Sequence, residues 1–372
     1  MKSNYNQLGH HIRLIDTRNR ESITDRVLGI NIDKFFMPSV ANVIGTDLSK
    51  YKLITKGKFA CNPMHVGRDE RLPVALYDEE EPAIVSPAYF MFEVIDNSIL
   101  NEDYLMMWFR RPEFDRICWL HTDGSVRGGI TWDDICRLEL PIPPIEKQFE
   151  IVNSYKAITE RIALKQKIND NLEAAMRALF EHFVVSNEAY DFDEAIDDKI
   201  DFINGLAMQN YRPEKDETPI PVIKIRELSQ GYCDENSEFC SNHIDKSHII
   251  QNGDLVFSWS GSLQASFWTS QTAGLNQHLF KVQSDEYPLW FVYEWVTFHL
   301  LNFQRIAENK GTTFGHIKRE DLHNAKIKSV GIDEINKLNN LFQPLLNTII
   351  ANSTELHSLM NYQRVLLARL SR

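Results

Sequence analysis

Shifted against itself by 187 residues, this chain lines up its own two halves. Gly124 and Ser125 fall on Gly311 and Thr312, and Ile130, Asp134 and Ile135 fall on Ile317, Asp321 and Leu322. Further on, Ile151, Ile158, Ile162, Leu172 and Leu179 fall on Leu338, Leu345, Ile349, Leu359 and Leu366, and no gap is needed from about residue 104 to 183. Upstream the offset drifts to 196, pairing Gly9 with Gly205 and Gly57 with Gly253, so the first copy carries about nine extra residues between positions 57 and 94. A period of half the 372-residue length is too long for a solenoid, whose units run roughly 20–50 residues. It predicts two similar domains, each followed by a similar helix. Such a molecule offers two related surfaces to a partner with two related sites.

Each half has the same grammar. Short β-rich runs come first: residues 27–32 and 89–94 in one copy, 221–225 and 279–282 in the other. Alternation and β-branched content mark them as strands. A short helical stretch is expected around Trp108 and its mate Trp295, then a Gly-rich loop, a strand-like exit and a long helix. In the second long helix Ile335, Leu338, Phe342, Leu345, Ile349, Asn352, Leu356, Leu359, Gln363, Leu366 and Leu370 recur at alternating spacings of three and four. Gln148, Ile151, Tyr155, Ile158, Ile162, Lys165, Asn169, Leu172, Met176, Leu179 and Phe183 are their mates. That is a coiled-coil seam, and about 38 residues at ~1.5 Å each make a rod of roughly 55–60 Å. Lys165 and Asn352 share the central seam position. If the helices pair antiparallel, these two polar residues meet and fix register. Pro344 should kink the second helix or mark a late start.

Hydrophobic content of 43% and charge of 25% are ordinary for a globular chain, and there is no apolar run of about 18 residues to span a membrane. The opening MKSNYNQLGHHIRL lacks the apolar core and cleavage site of a secretory signal. Five cysteines without a CxxC pair are expected as reduced thiols, so a cytoplasmic location is expected and no metal site. The net charge of −12 at first argues against nucleic acid. It is concentrated, however. Residues 186–201 hold seven acids and one lysine for a net of −6, and Asp78 to Glu81 add −4, which leaves about −2 elsewhere. Local basic surfaces remain open, and a weakly basic reader would need a partner to supply phosphate affinity.

No Walker A loop, GxGxxG, HExxH or GxSxG occurs, and no catalytic constellation or cofactor loop is seen. What remains are loops at matching places in both copies. Asn62 to Arg68, including His65, answers the Ser258, Ser260 and Ser262 loop. Asp123 to Arg127, with Ser125 and Arg127, answers Lys310 to Phe314, with Lys310, Thr312 and Thr313. Asn276, Gln277 and His278 precede a strand. Small hydroxyls, amides, Arg and Lys on loops suit base edges and phosphates. Turn geometry also selects such residues. For any one of them that plainer reading competes; for the repeated sets, binding is the better reading.

These residues carry a resemblance. Along its whole length the chain resembles the specificity subunits of Type I restriction-modification systems. The features are the twofold repeat, LPIPPIEKQFEIV at the entry to the long helix, GDLVFSWSGSLQASFW and GLNQHLFKV in the second half, and NPMHVGRDERLPVAL with IVSPAYFMF in the first. The resemblance implies an α+β fold. Two target recognition domains (1–144 and 202–331) would each be followed by a long helix (145–184 and 332–372), with an acidic linker at 185–201. The helices would form an antiparallel coiled coil with pseudo-twofold symmetry. It implies a non-enzymatic subunit without cofactors that reads a bipartite site in double-stranded DNA. Two adenine-methyltransferase subunits and restriction subunits would be its partners. Because Lys310–Phe314 and Asp123–Arg127 differ, the two halves should read different sequences. Two alternatives stay open at this point: a subunit of a related system whose partner fuses cutting and methylation, or a coiled-coil scaffold with no nucleic-acid role.

Overall fold

The computed structural model describes residues 5–64, 66–122, 128–309 and 315–370, apart from the side chain of Arg68. The chain divides into two units, Met1–Glu160 with Tyr362–Arg372, and Arg161–Asn361.

Strands of the first unit are β1 (Tyr5–Gln7), β2 (Ile12–Leu14), β3 (Val27–Ile30), β4 (Phe36–Pro38), β5 (Lys52–Ile54), β6 (Phe59–Cys61), β7 (Val74–Leu76), β8 (Ala83–Val85), β9 (Phe90–Val94) and β10 (Glu139–Pro141). They form sheets of order β2-β9-β6-β7 and β4-β3-β8-β5, with β1 paired to β10. Those of the second are β11 (Phe192–Ala195), β12 (Asp201–Asn204), β13 (Ile220–Ile223), β14 (Phe239–Cys240), β15 (Ile249–Ile250), β16 (Leu255–Ser258), β17 (Ala265–Phe267), β18 (Ala273–Leu275), β19 (Leu279–Gln283) and β20 (Lys326–Lys328). Their orders are β12-β19-β16-β17 and β14-β13-β18-β15, with β11 paired to β20. Adding ten to each strand number of the first unit gives the second. Even the parallel pair recurs, β3 beside β8 and β13 beside β18, within otherwise antiparallel sheets. The sequence repeat is thus a repeat of topology.

Strand periodicity explains the layering. Successive side chains on a strand face opposite ways. On β6, Phe59 and Cys61 enter the core beneath the helices, while Ala60 enters a second core with Leu28, Ile54 and Met91. On β16, Leu255 and Phe257 divide from Val256 in the same manner. Phe59 stacks on Phe92 across the ladder, ring centroids 5.0 Å apart.

Two expected elements change at their ends. The first strand stops at Ile30, because the chain turns through Asn31 and Lys34, the latter at φ 69°. Ile225 leaves the strand and opens a helix, Ile225–Gln230. The Glu227 carboxylate accepts the Lys224 N–H at 3.1 Å, and Gly231 closes the helix at φ 82°. The helix around Trp295 is also long, Leu289–Asn309, whereas that around Trp108 ends at Phe109 and a new one starts at Pro112. Proline suits a first helical turn and interrupts a continuing one. The second copy has His299 at the matching place, so its helix continues.

The acidic segment 185–201 is more than a linker. It carries β11 and a short helix, Ile196–Lys199, and Ala195, Ile196 and Ile200 are buried between the acids. Burial of these three outweighs the charge that suggested a solvated spacer.

The long helices run Ile145–Phe180 and Ile332–Arg369. The Pro144 and Gly331 carbonyls accept their first-turn N–H groups. Within the second unit, Lys165 meets Asn352, Asn169 meets Asn352 and Ser353, and Arg161 and Lys165 pair with Glu355. In the first, Thr159 meets Gln363 at 2.8 Å. Positions rise on one helix as they fall on the other, so the pairing is antiparallel. The late start at Pro344 does not occur: the helix begins at Ile332 and runs through the proline. Phe342 is fully buried and stacks on Trp290 at 4.2 Å, and the Trp290 indole donates to Asn339 at 2.9 Å. That packing holds the turns ahead of Pro344 in helical form against the proline's cost of about 3 kcal/mol.

Candidate nucleic-acid interface

In each unit, backbone hydrogen bonds draw together loops that are far apart in sequence. In the first, the Ile130 N–H donates to the Pro63 carbonyl at 3.1 Å and the Gly67 N–H to the Gly128 carbonyl at 3.0 Å. In the second, the Ile317 N–H donates to the Trp259 carbonyl at 3.0 Å and the Gly261 N–H to the Gly315 carbonyl at 2.8 Å. Ser260 and His316 form a bridge between these two bonds. The frame is shared and its side chains are not: Pro63 stands where Trp259 does, and Gly129 where His316 does. A Cβ at Gly129 would meet the Pro63 carbonyl oxygen at 2.9 Å, so the first copy admits only glycine there without a shift.

The expected binding residues divide by what their side chains already do. Asn62 is half-buried and accepts the Met64 N–H at 3.2 Å. Ser258 is fully buried; its hydroxyl donates to the Ser262 carbonyl and accepts the Gln264 N–H at 3.1 Å. Asn276 is buried, and its side-chain oxygen accepts the His278 N–H at 3.3 Å. Ser258 and Asn276 therefore shape loops rather than face outward, which corrects their place among the residues expected to touch DNA. The sequence signal, a polar residue in a Gly-rich loop, is the same for a turn former as for a contact. Ser262 and His278 are exposed, Gln277 is half-buried, and Ser260 is buried with its hydroxyl 3.1 Å from the His278 Nδ1. His65, Ser125, Arg127, Lys310, Thr312 and Thr313, and the Arg68 side chain, lie outside the described residues.

Around the second frame lies a concave surface that the sequence reading did not single out. Ile225, Trp259, Ser260, Gly261, His278 and His316 line a cavity of about 470 Å³, mostly apolar. The Trp259 ring lies 5.8 Å from His278 and 6.4 Å, edge-on, from His316. Gly261 sits at φ 66°, and a Cβ there would approach Ile225 Cδ1 at 3.2 Å. Next to Ile225, Arg226 is locked by Asp234 at 2.9 Å, and this guanidinium holds the Asp234 carboxyl down to about 2. The sequence signal for the cavity was present: a tryptophan and a histidine occupy places where the other copy has proline and glycine.

Among the described residues, Asp197, Asp198 and His323 bring ligand atoms within 4.8 Å of one another on the surface. A His323–Asp197 contact of 3.0 Å accounts for that grouping. No described helix is long and apolar enough to cross a membrane.

No family model matches this chain. Among curated proteins it is similar to the "Type I restriction enzyme MjaIX specificity subunit" of Methanocaldococcus jannaschii, 23% identical over 305 residues that cover 74% of this chain and 70% of the relative. It is also similar to the "Type I restriction enzyme EcoBI specificity subunit" of Escherichia coli, 29% identical over 101 residues, 27% of this chain and 21% of the relative. Among solved structures it shares the fold of a Type I restriction-modification S subunit from M. genitalium, with a TM-score of 0.59, 12% identity and coverage of 99% of this chain and 96% of that one. In sequence and in fold, this chain is similar to the specificity subunits of Type I restriction-modification systems.

Proposed function

We propose that this chain reads a bipartite site in double-stranded DNA for a Type I restriction-modification complex. Residues 1–144 and 202–331 act as two target recognition domains, and the antiparallel helix pair sets the spacing between half-sites. The observation that carries this reading is the shared loop frame. The same two backbone bonds, from Ile130 and Gly67 in one copy and from Ile317 and Gly261 in the other, present different side chains. A constant frame with variable side chains is what two readers of unlike half-sites require. In the second copy Ser262, Gln277 and His278 offer polar groups at that frame; Asn62 stands at it in the first. Arg127 and Lys310, which lie outside the described residues, would add the cationic contacts that phosphates and guanine call for.

The likeness to specificity subunits supports the partners: two adenine-methyltransferase subunits and restriction subunits supply the chemistry, and this chain supplies the address. Lys165 and Asn352, polar residues at the centre of a mainly apolar seam, fix the register of the helices and so the spacer. Adenine methylation mapped across the host chromosome tests the reading. A split motif should be methylated in the parent strain and unmethylated after deletion of this gene. Unchanged methylation on deletion would overturn it.

A further inference from the structure

We infer that the cavity lined by Ile225, Trp259, Ser260, Gly261, His278 and His316 is a thymine-reading pocket, which makes Trp259 and His316 specificity-determining residues. The inference rests on the recognition reading above and names the base class read by the second copy.

Closing the backbone frame does not need these two side chains. The first copy closes the same frame with Pro63 and Gly129, through the same pair of carbonyl–amide bonds. Yet the second copy places a half-buried indole and a half-buried imidazole there, around an open cavity of about 470 Å³. Aromatic surface left in water has lost the burial that would stabilise it, so its presence at a position where proline suffices points to a ligand that covers it.

The lining chooses among bases. In the major groove, thymine alone presents a methyl group, beside one acceptor, O4; cytosine presents an amino donor there instead. Of the lining residues, Ile225 and Trp259 offer apolar surface, which suits a methyl. The His316 imidazole also lines the cavity and can donate an N–H to O4. The Ser260 hydroxyl lies against His278 Nδ1 at 3.1 Å and the Gln277 amide nitrogen lies 3.4 Å from its Nε2, so both ring nitrogens of His278 are engaged and the ring is held in place. No carboxylate, the usual acceptor for the cytosine amino group, is among the described residues of the lining. Gly261 keeps its part of the lining free of a side chain, because a side chain there would be strained at φ 66° and would press on Ile225.

The test uses the full-length chain in complex with its host's methyltransferase subunits, and duplexes carrying the methylated split motif. Each thymine of the half-site read by the second copy is replaced in turn by deoxyuridine, which removes the methyl alone. Binding should weaken about fourfold at one position, the factor for one buried methyl-sized group. His316→Gly, the residue of the first copy, and Trp259→Phe should each reduce that T-over-U preference toward unity. Affinity for the other half-site should not change. Specific binding with no thymine sensitive to the methyl, a half-site without an A·T pair, or a preference that both variants retain would overturn the inference and leave the recognition reading standing. Absence of any sequence-specific binding would overturn both.

Discussion

Lys165 donates a 2.7 Å hydrogen bond to the side-chain oxygen of Asn352, 187 positions away, the period of the sequence repeat. Each residue therefore touches its own repeat mate. In an antiparallel pair of equivalent helices this happens only at the centre of the pair. Lys165 also pairs with Glu355 at 2.7 Å, and the Asn352 amide donates to Asn169 at 3.0 Å, so the polar layer is satisfied from several sides. Asn352→Leu should cost about 1–3 kcal/mol, because buried donors and acceptors lose their partner. Lys165→Leu combined with Asn352→Leu should cost less than the sum of the single changes. Urea unfolding of the four chains in the cycle measures both. Cysteines at 165 and 352 should form a disulfide on mild oxidation; additive costs and no crosslink would contradict the register.

Glu294 sits on the helix Leu289–Asn309 with only 2% of its surface exposed. Burial pushes its carboxyl from near 4.5 up to about 7; the Arg177 charge opposes this and Glu173 adds to it. Between those values the folded chain holds a proton that the unfolded chain has released. Stability should therefore fall as pH rises from about 4.5 to 7, by roughly 2–3 kcal/mol. Glu294→Gln should flatten that slope and unfold later than the parent at pH 8. Parallel pH profiles of the two proteins would contradict the burial argument.

Gly205 marks a close approach of two strands' ends. A Cβ there would lie 2.2 Å from the Asn276 carbonyl oxygen and 2.5 Å from that of Leu275. Gly205→Ala should therefore cost more than about 3 kcal/mol, since backbone must move. Gly331→Ala, where a Cβ meets nothing within 4 Å, should change stability by about 0.5 kcal/mol or less. Thermal unfolding separates the two, and equal effects would contradict the packing.

The repeat, the long helices and their antiparallel sense were legible because periodicity is carried by many residues at once. Local exceptions were less so. Pro344 reads as a helix start until Trp290 is known to stack on Phe342, a contact between residues 52 apart. Acids at 186–201 read as a spacer until Ala195, Ile196 and Ile200 are seen to be buried. At the candidate interface the loops were found, but the direction of each side chain was not. Ser258 and Ser262 look alike in sequence, and the turn between them buries the first and exposes the second. Trp259 lies in a loop that the sequence marks, but it carries no polar group of the kind that marks a contact; its difference from Pro63 at the matching place is the informative sign.

The central claim, two independent readers joined by a fixed spacer, is tested most directly by exchanging residues 1–144 for those of a relative with a different motif and mapping adenine methylation in the host. One half of the methylated motif should change, while the other half and the spacer between them stay the same. Change in both halves, or in the spacer alone, would contradict the account.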